Sequence, residues 1–184
     1  YRVYVSTSPF YPINPHFSGQ CETIKGVIGA EDITIDHTNQ FAYISADDRR
    51  ASMANKPVTG GIYGLDLSKP DSLPVLLTAH MSEDFHPHGI YYLKKETANY
   101  LFAVNHNING DFIEVFQYED NLLTHIKSYS NQLLCCPNDL VAVDVDKFYV
   151  TNDHGAAKGF ARTAEDYLRI ANSYVLYFDG NRFK

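Results

Sequence analysis

Hydrophobic and polar residues alternate along most of the chain in short runs that are separated by turn residues. This two-residue period is typical of β-strands that bury one face. Three segments share one form, in which a polar pair opens an alternating strand, a short turn follows, and a second strand ends in polar residues. These segments cover residues 31–47, 88–106 and 138–153. The pattern therefore predicts an all-β protein built from repeats.

Two further strand pairs are predicted between the repeats, at residues 61–67 with 74–78 and at residues 112–118 with 122–127. Each repeat period then contains about four short strands, which is the content of one β-propeller blade. A β-sandwich also uses many short strands, but it does not require polar residues at the same point of every repeat. A propeller does, because the innermost strand of each blade starts at the central channel. The propeller is therefore favoured, with roughly three blades in this chain.

One segment departs from the strand pattern. Thr163 stands at a helix N-cap position, acidic residues follow in the first turn, and Tyr167, Ala171 and Tyr174 recur at helical spacing. These features predict one short inserted helix at residues 163–174. Two interpretations of it stay open: a surface helix that covers a blade edge, or a lid or wall beside a site.

Composition narrows the classes of function. The 184 residues are 45% hydrophobic and 20% charged, with a net charge of −7, which is ordinary for a globular protein. The chain has no basic run, and this argues against nucleic acid as a partner. No apolar stretch approaches the roughly 20 residues that span a bilayer. The three cysteines, Cys21, Cys135 and Cys136, lack the spacing of a zinc site, and burial as small apolar residues is an alternative for the adjacent pair.

Equivalent positions of the three repeats carry polar corners, which are the Glu31-Asp32 pair, the His88-Gly89-Ile90 segment and the Asn138-Asp139 pair. In a propeller these corners would converge on the axis. Oxygen donors without thiolates suit a hard cation, and calcium takes about six to eight of them. Crowded carboxylates also repel one another unless a cation is present. A solvated turn is the alternative for any single acidic pair.

A histidine pair accompanies the polar corners. His88 and His106 begin and end the hairpin of the second repeat. Such a pair can deprotonate water beside a divalent cation that polarises an ester or lactone carbonyl. The alternative is that both histidines are structural hydrogen-bonding residues. Serine catalysis is not indicated, because the sequence contains no Gly-x-Ser-x-Gly motif.

Several motifs of the chain resemble, in their order, those of the paraoxonase family of serum arylesterases and lactonases. Among them are Gly-Ala-Glu-Asp-Ile at 29–33, Pro-His-Gly-Ile at 87–90 and Asn-Asp-Leu-Val-Ala-Val at 138–143. The others lie at residues 21–26, 41–45, 104–106, 148–154 and 173–177. The resemblance implies a six-bladed β-propeller with two calcium ions in its channel and hydrolysis of lactones and aryl esters.

The resemblance also implies which residues bind the two calcium ions. Glu31 and Asn138 would be ligands of a catalytic calcium. Asp32, Asp139 and the main-chain carbonyl of Ile90 would hold a structural calcium. The family's other ligands come from blades beyond residue 184. Activity is therefore expected only when the C-terminal half is supplied by a second chain or a downstream segment.

Roles for the remaining residues follow in the same way. His88 would be the general base and His106 its partner, with Asp153 positioned to orient His106. Cys21 resembles a cysteine that closes the family's ring through a disulfide to a C-terminal cysteine. A disulfide suits an oxidising compartment, so a secreted or periplasmic protein is expected.

The chain is divided on the same grounds. Residues 1–20 are interpreted as an N-terminal extension of unknown role, and residues 21–184 as the N-terminal half of the propeller. The absence of an initiator Met is interpreted as processing or trimming.

Two rival functions stay open beside a hydrolase of small-molecule esters or lactones. A gluconolactonase-like or strictosidine-synthase-like propeller shares the fold, but the pairing of His88 with His106 argues against it. A calcium-stabilised binding scaffold without catalysis is the other rival, and it predicts calcium-dependent stability with no ester turnover. Contact of the helix at 163–174 with lipid or membrane is left undecided.

Overall fold

The computed structural model describes residues 14–56, 58–82 and 84–184. Within these ranges the chain forms three antiparallel sheets and two short helices. Part of the predicted N-terminal extension, residues 1–13, lies outside the described residues. The all-β prediction is confirmed, and the three sheets are consistent with part of a β-propeller.

Each sheet contains strands that follow one another along the chain. The first consists of β1 (Ala30–Asp36), β2 (Phe41–Ala46), β3 (Gly61–Asp66) and the two-residue β4 (Val75–Leu76). The second consists of β5 (Pro87–Lys94), β6 (Asn99–Asn107), β7 (Gly110–Glu119) and β8 (Leu122–Tyr129). The third consists of β9 (Pro137–Asp144), β10 (Lys147–Asn152) and β11 (Tyr174–Phe178). All the strand pairs that the alternating pattern predicted are present, because local alternation and short turns are enough to define them.

The apolar faces of neighbouring sheets pack against each other and form the core. Between the second and third sheets, Phe102 and Phe148 are both fully buried, with ring centroids 5.9 Å apart. Between the first and second sheets, Tyr43 and Phe116 are also fully buried. Truncating such a phenylalanine to alanine costs about 3–5 kcal/mol. This packing holds the three sheets side by side and brings their first strands together.

The predicted helix is present but displaced. Helix α2 spans Gly159–Leu168, so Thr163 lies inside it and does not cap it. The helix ends because Arg169 adopts a left-handed φ of 55°. Tyr174 then belongs to β11, where it pairs with Asn152. The placement at 163–174 was wrong because pairing with β10 outweighs the helical spacing of the tyrosines.

A second short helix, α1, spans Arg49–Met53 and was not predicted. Asp48 is its N-cap and accepts a hydrogen bond of 3.0 Å from the Ala51 N–H. In the parts of the chain that the structure describes, neither helix has the length or hydropathy needed to cross a membrane.

Candidate functional site

The three polar corners share one backbone feature, a β-bulge at the start of the first strand of each sheet. Two residues of β1, β5 or β9 stand opposite one residue of the neighbouring strand. The bulged pairs are Glu31 with Asp32, His88 with Gly89, and Asn138 with Asp139. A bulge interrupts the ladder and redirects side chains. The recurring polar pairs of the sequence therefore correspond to a recurring irregularity of the backbone.

The two acidic corners have the same internal hydrogen bonds. The Asp32 N–H donates to Ser45 Oγ at 3.1 Å, and the Asp139 N–H donates to Thr151 Oγ1 at 3.1 Å. Each aspartate also accepts a bond of 2.7 Å from the N–H of the next residue. Asp32 and Asp139 therefore share a local hydrogen-bond pattern as well as an equivalent sequence position.

The middle corner joins the two acidic corners, because β5 contacts both β1 and β9. Ser45 Oγ donates to the His88 carbonyl at 2.5 Å, and the Ile90 N–H donates to Asp32 Oδ2 at 2.8 Å. On the other side, a β-carbon added at Gly89 would lie 2.5 Å from the Asn138 carbonyl oxygen. Only glycine permits so close an approach. The three corners thus enclose a cavity of about 140 Å³.

The pKa of the Asp139 carboxyl is shifted by its position in this small cavity. Burial raises the pKa of its carboxyl above the ordinary value, and the negative charge of Asp32 raises it further. The Leu140 N–H and His88 oppose this rise without cancelling it. Asp32 and Asp139 both line this cavity, and the charge of Asp139 is incompletely compensated there.

The donor types at the corners fit a hard cation. Carboxylates of Asp32 and Asp139, the side-chain amide of Asn138 and the main-chain carbonyl of Ile90 are all oxygen donors of the kind that calcium prefers. Across the described ranges, no three His, Cys, Asp or Glu side chains meet at metal-binding geometry. Calcium takes about six to eight oxygens, so these four groups by themselves would be an incomplete set.

A larger cavity of about 490 Å³ adjoins the small one and contains the histidine pair. The His88 and His106 rings meet edge to face with centroids 5.2 Å apart. His88 Nδ1 lies 2.8 Å from the Asn138 carbonyl oxygen, and its Nε2 lies 2.7 Å from Glu31 Oε1. A carbonyl can only accept, so Nδ1 carries a proton, and Nε2 is the nitrogen that contacts the Glu31 carboxylate.

His106 is oriented by a carboxylate that the sequence analysis did not single out. His106 Nδ1 lies 2.7 Å from Asp111 Oδ1, because the two residues stand opposite each other in the β6–β7 hairpin. Asp153, which was expected beside His106, lines the same cavity and accepts a hydrogen bond of 3.1 Å from Asn138 Nδ2. The short connection between Asn107 and Gly110 is the sequence signal that indicates the Asp111 pairing.

Arg49 is a second residue that sequence reasoning missed. It projects from α1, and its Nη2 lies 2.8 Å from Glu31 Oε2. Glu31 is thus held between the Arg49 guanidinium on one oxygen and His88 on the other. No local pattern reveals this contact, because α1 is short and reaches the cavity only through the fold.

The cysteines form no disulfide among the residues that the structure describes. Cys21 is exposed. The Sγ atoms of Cys135 and Cys136 lie 2.7 Å apart in the wall of the larger cavity. Burial and the hydrogen bond with Cys135 raise the pKa of the Cys136 thiol to about 12. The expectation of a disulfide through Cys21 to a residue outside this chain stays a prediction.

Known proteins resemble the chain along most of its length. A profile of the family described as arylesterase matches residues 13–184. The serum paraoxonase/arylesterase 2 of Bos taurus is 34% identical over 175 residues, which cover 89% of this chain and 49% of that protein. The chain belongs to the arylesterase family. Two further relatives are also 34% identical to this chain.

The serum paraoxonase/arylesterase 2 of Gallus gallus is 34% identical over 183 residues, covering 94% of this chain and 51% of that protein. The serum paraoxonase/arylesterase 1 of Homo sapiens is 34% identical over 168 residues, covering 86% and 47% respectively. The chain spans about half the length of these curated relatives. The resemblance to paraoxonases is confirmed, and the polar corners and histidine pair are features of an arylesterase-family chain.

Proposed function

We propose that the protein is a calcium-dependent hydrolase of lactones and aryl esters, and that this chain carries one half of its active site. The observation behind the proposal is the position of His88. It is held between the Asn138 carbonyl and Glu31, 5.2 Å from the ring of His106, in a cavity that adjoins the carboxylate cluster. Membership of the arylesterase family supports ester hydrolysis as the type of reaction.

His88 and His106 are proposed to activate the attacking water. The Asn138 carbonyl keeps the proton on His88 Nδ1, which leaves Nε2 to accept a proton from water whenever Glu31 is engaged elsewhere. Asp111 holds a proton on His106 Nδ1 in the same way. The edge-to-face contact of the two rings places His106 where it can relay that proton to solvent.

Glu31 and Asn138 are proposed to hold a catalytic calcium, and Asp32, Asp139 and the Ile90 carbonyl a structural one. When bound, calcium would polarise the substrate carbonyl and stabilise the oxyanion that forms on attack. The raised pKa of the Asp139 carboxyl, which faces the negative charge of Asp32, supports a cation at this place. Glu31 would then exchange its contacts with His88 and Arg49 for the cation, and this exchange frees His88 Nε2.

The remaining ligands and blades are proposed to come from the C-terminal half, as a downstream segment or a second chain, which completes a six-bladed ring. The chain spans only about half the length of its curated relatives, and this supports the proposal. Cys21 is exposed and available for a disulfide to that half, so the protein is proposed to be secreted or periplasmic.

The experiment uses the complete protein with lipophilic lactones, sugar lactones and aryl esters as substrates. His88→Gln should lower kcat by about 100-fold or more, because the general base is lost. Glu31→Ala should lower activity together with calcium affinity, measured by titration against a chelator. His37→Gln is the control, because His37 is exposed in the turn at the far end of β1.

Unchanged activity in both His88→Gln and Glu31→Ala would reject the site. Calcium-dependent stability without turnover of any substrate would identify a binding scaffold instead. Turnover of sugar lactones alone would favour a gluconolactonase-like enzyme.

A further inference from the structure

Two thiols of adjacent residues point in the same direction in the wall of the larger cavity. The Sγ atoms of Cys135 and Cys136 are 2.7 Å apart. Successive side chains of a strand point to opposite faces, but β9 begins only at Pro137 and the two cysteines lie in the bend before it. The bend is therefore what places both thiols on one side.

A single acceptor keeps the thiols together. Both thiols donate to the main-chain carbonyl of His154, each at 3.1 Å. Tyr174 approaches Cys135 Sγ with its hydroxyl at 3.6 Å. Both cysteines line the cavity that contains His88 and His106, so a small molecule that enters this cavity reaches both sulfurs.

We propose that Cys135 and Cys136 form a reversible oxidation site, which a low-molecular-weight disulfide such as oxidised glutathione converts into a vicinal disulfide. One cysteine thiolate attacks the glutathione disulfide, which forms a mixed disulfide and releases one glutathione. The second cysteine then attacks the protein sulfur of that mixed disulfide, forms the Cys135–Cys136 bond and releases a second glutathione. The two protein thiols lose two electrons and two protons, and one disulfide is reduced to two thiols.

The oxidation is coupled to the backbone beside the site. The Cys136 N–H donates to Asn152 Oδ1 at 3.2 Å, and its carbonyl accepts from the Asp153 N–H at 3.1 Å. A disulfide between neighbours closes an eight-membered ring, so the peptide between them must rotate. Pro137 restricts the backbone conformations that are open to Cys136 during this rotation. Closure of the ring therefore loosens the bond from the Asp153 N–H and shifts the start of β9.

The test follows one peptide by mass spectrometry. Cleavage after Lys127 and Lys147 releases residues 128–147, which contain Cys135 and Cys136 and no other cysteine. After treatment of the folded protein with oxidised glutathione and alkylation, the peptide should lack alkyl groups and be lighter than its reduced form by two hydrogen atoms. Dithiothreitol should restore two alkylatable thiols.

Matched variants identify the mechanism. Cys135→Ser and Cys136→Ser should each retain one glutathionyl group on the peptide, because the resolving thiol is missing, whereas Cys21→Ser should behave as the unchanged protein. A peptide from the unchanged protein that keeps both free thiols, or that carries two glutathionyl groups, would overturn the proposal.

A second measurement tests the coupling. Amide exchange at Asp153 should accelerate about tenfold on oxidation, because its hydrogen bond to Cys136 weakens. The double variant Cys135→Ser, Cys136→Ser should show no change with oxidant. If amide exchange at Asp153 is the same in the oxidised and reduced proteins, the proposed coupling between the disulfide and the backbone beside the site is wrong.

Discussion

Two aspartates, Asp36 at the far end of β1 and Asp139 near the start of β9, differ in how their charge is compensated. At the far end, buried Asp36 accepts four hydrogen bonds, from Tyr92 Oη at 2.8 Å, Asn39 Nδ2 at 2.7 Å, and the N–H groups of Thr38 and Asn39. Burial alone would raise the pKa of Asp36, but these bonds outweigh it and the pKa lies below its ordinary value. The protein thus supplies all the compensation that this charge needs.

At the near end, Asp32 faces Asp139 across the polar corners. Among the described residues, the Asp139 carboxylate accepts one hydrogen bond, from the Leu140 N–H, and its pKa is raised. Asp36 is surrounded by four donors, whereas the Asp139 carboxylate has this single backbone donor. The difference supports the proposal that a cation binds between the polar corners. Three substitutions, each with a control, test this proposal.

The largest expected effect is at Asp36. Asp36→Asn should lower the free energy of unfolding by about 3 kcal/mol at neutral pH, because an amide cannot accept all four bonds and loses the charge-assisted ones. Chemical denaturation measures the loss. Tyr92→Phe, which removes one donor, is the graded control and should cost about 1 kcal/mol.

The effect of Asp36→Asn should also depend on pH. A carboxyl whose folded pKa is depressed stabilises the fold above its ordinary pKa, and this contribution disappears as the pH falls through the lowered value. The difference between the unchanged protein and the variant should therefore shrink in acid. A difference that stays constant down to acidic pH would contradict the structural role of this charge.

An intermediate effect is expected at Asp139. In the complete protein, Asp139→Asn should not reduce stability without calcium, because it relieves repulsion with Asp32. Saturating calcium should stabilise the unchanged protein by about 2 kcal/mol and the variant much less. Melting curves with and without chelator give both values. Asp144→Asn is the control, because Asp144 lies on the same strand outside the corners, where it pairs with Lys95 and accepts a hydrogen bond from the Val145 N–H. If calcium stabilises the unchanged protein, Asp139→Asn and Asp144→Asn equally, Asp139 is not a calcium ligand.

The smallest effect is expected at Thr151. Thr151→Val should cost about 1 kcal/mol, because it removes the hydroxyl that bonds both the N–H and the carbonyl of Asp139. In the middle corner, valine already stands at the equivalent position, opposite His88 and Gly89, and is buried in the core. Val104→Thr should therefore destabilise, because it buries a hydroxyl among apolar side chains. Thermal unfolding compares the two, and a stable Thr151→Val protein would show that the hydroxyl does not hold the corner.

The sequence by itself determined the strands and the equivalence of the polar corners. Both follow from local features: alternation with a period of two, short turns, and a polar pair at a constant place in each repeat. The family resemblance rests on the same residues. Where a local pattern competed with long-range pairing, as for Tyr174, the local prediction failed because β11 gains backbone bonds from β10 that a helix cannot offer.

The tertiary structure decided which groups meet across the corners. Asp111 reaches His106 through hairpin register, Arg49 reaches Glu31 from a five-residue helix, and Cys135 meets Cys136 in a bend before β9. It also decided that Asp36 is compensated and Asp139 is not, although both are aspartates of similar strands. The physical reason is that compensation depends on donors brought by other strands, and their arrival is governed by the packing of the three sheets.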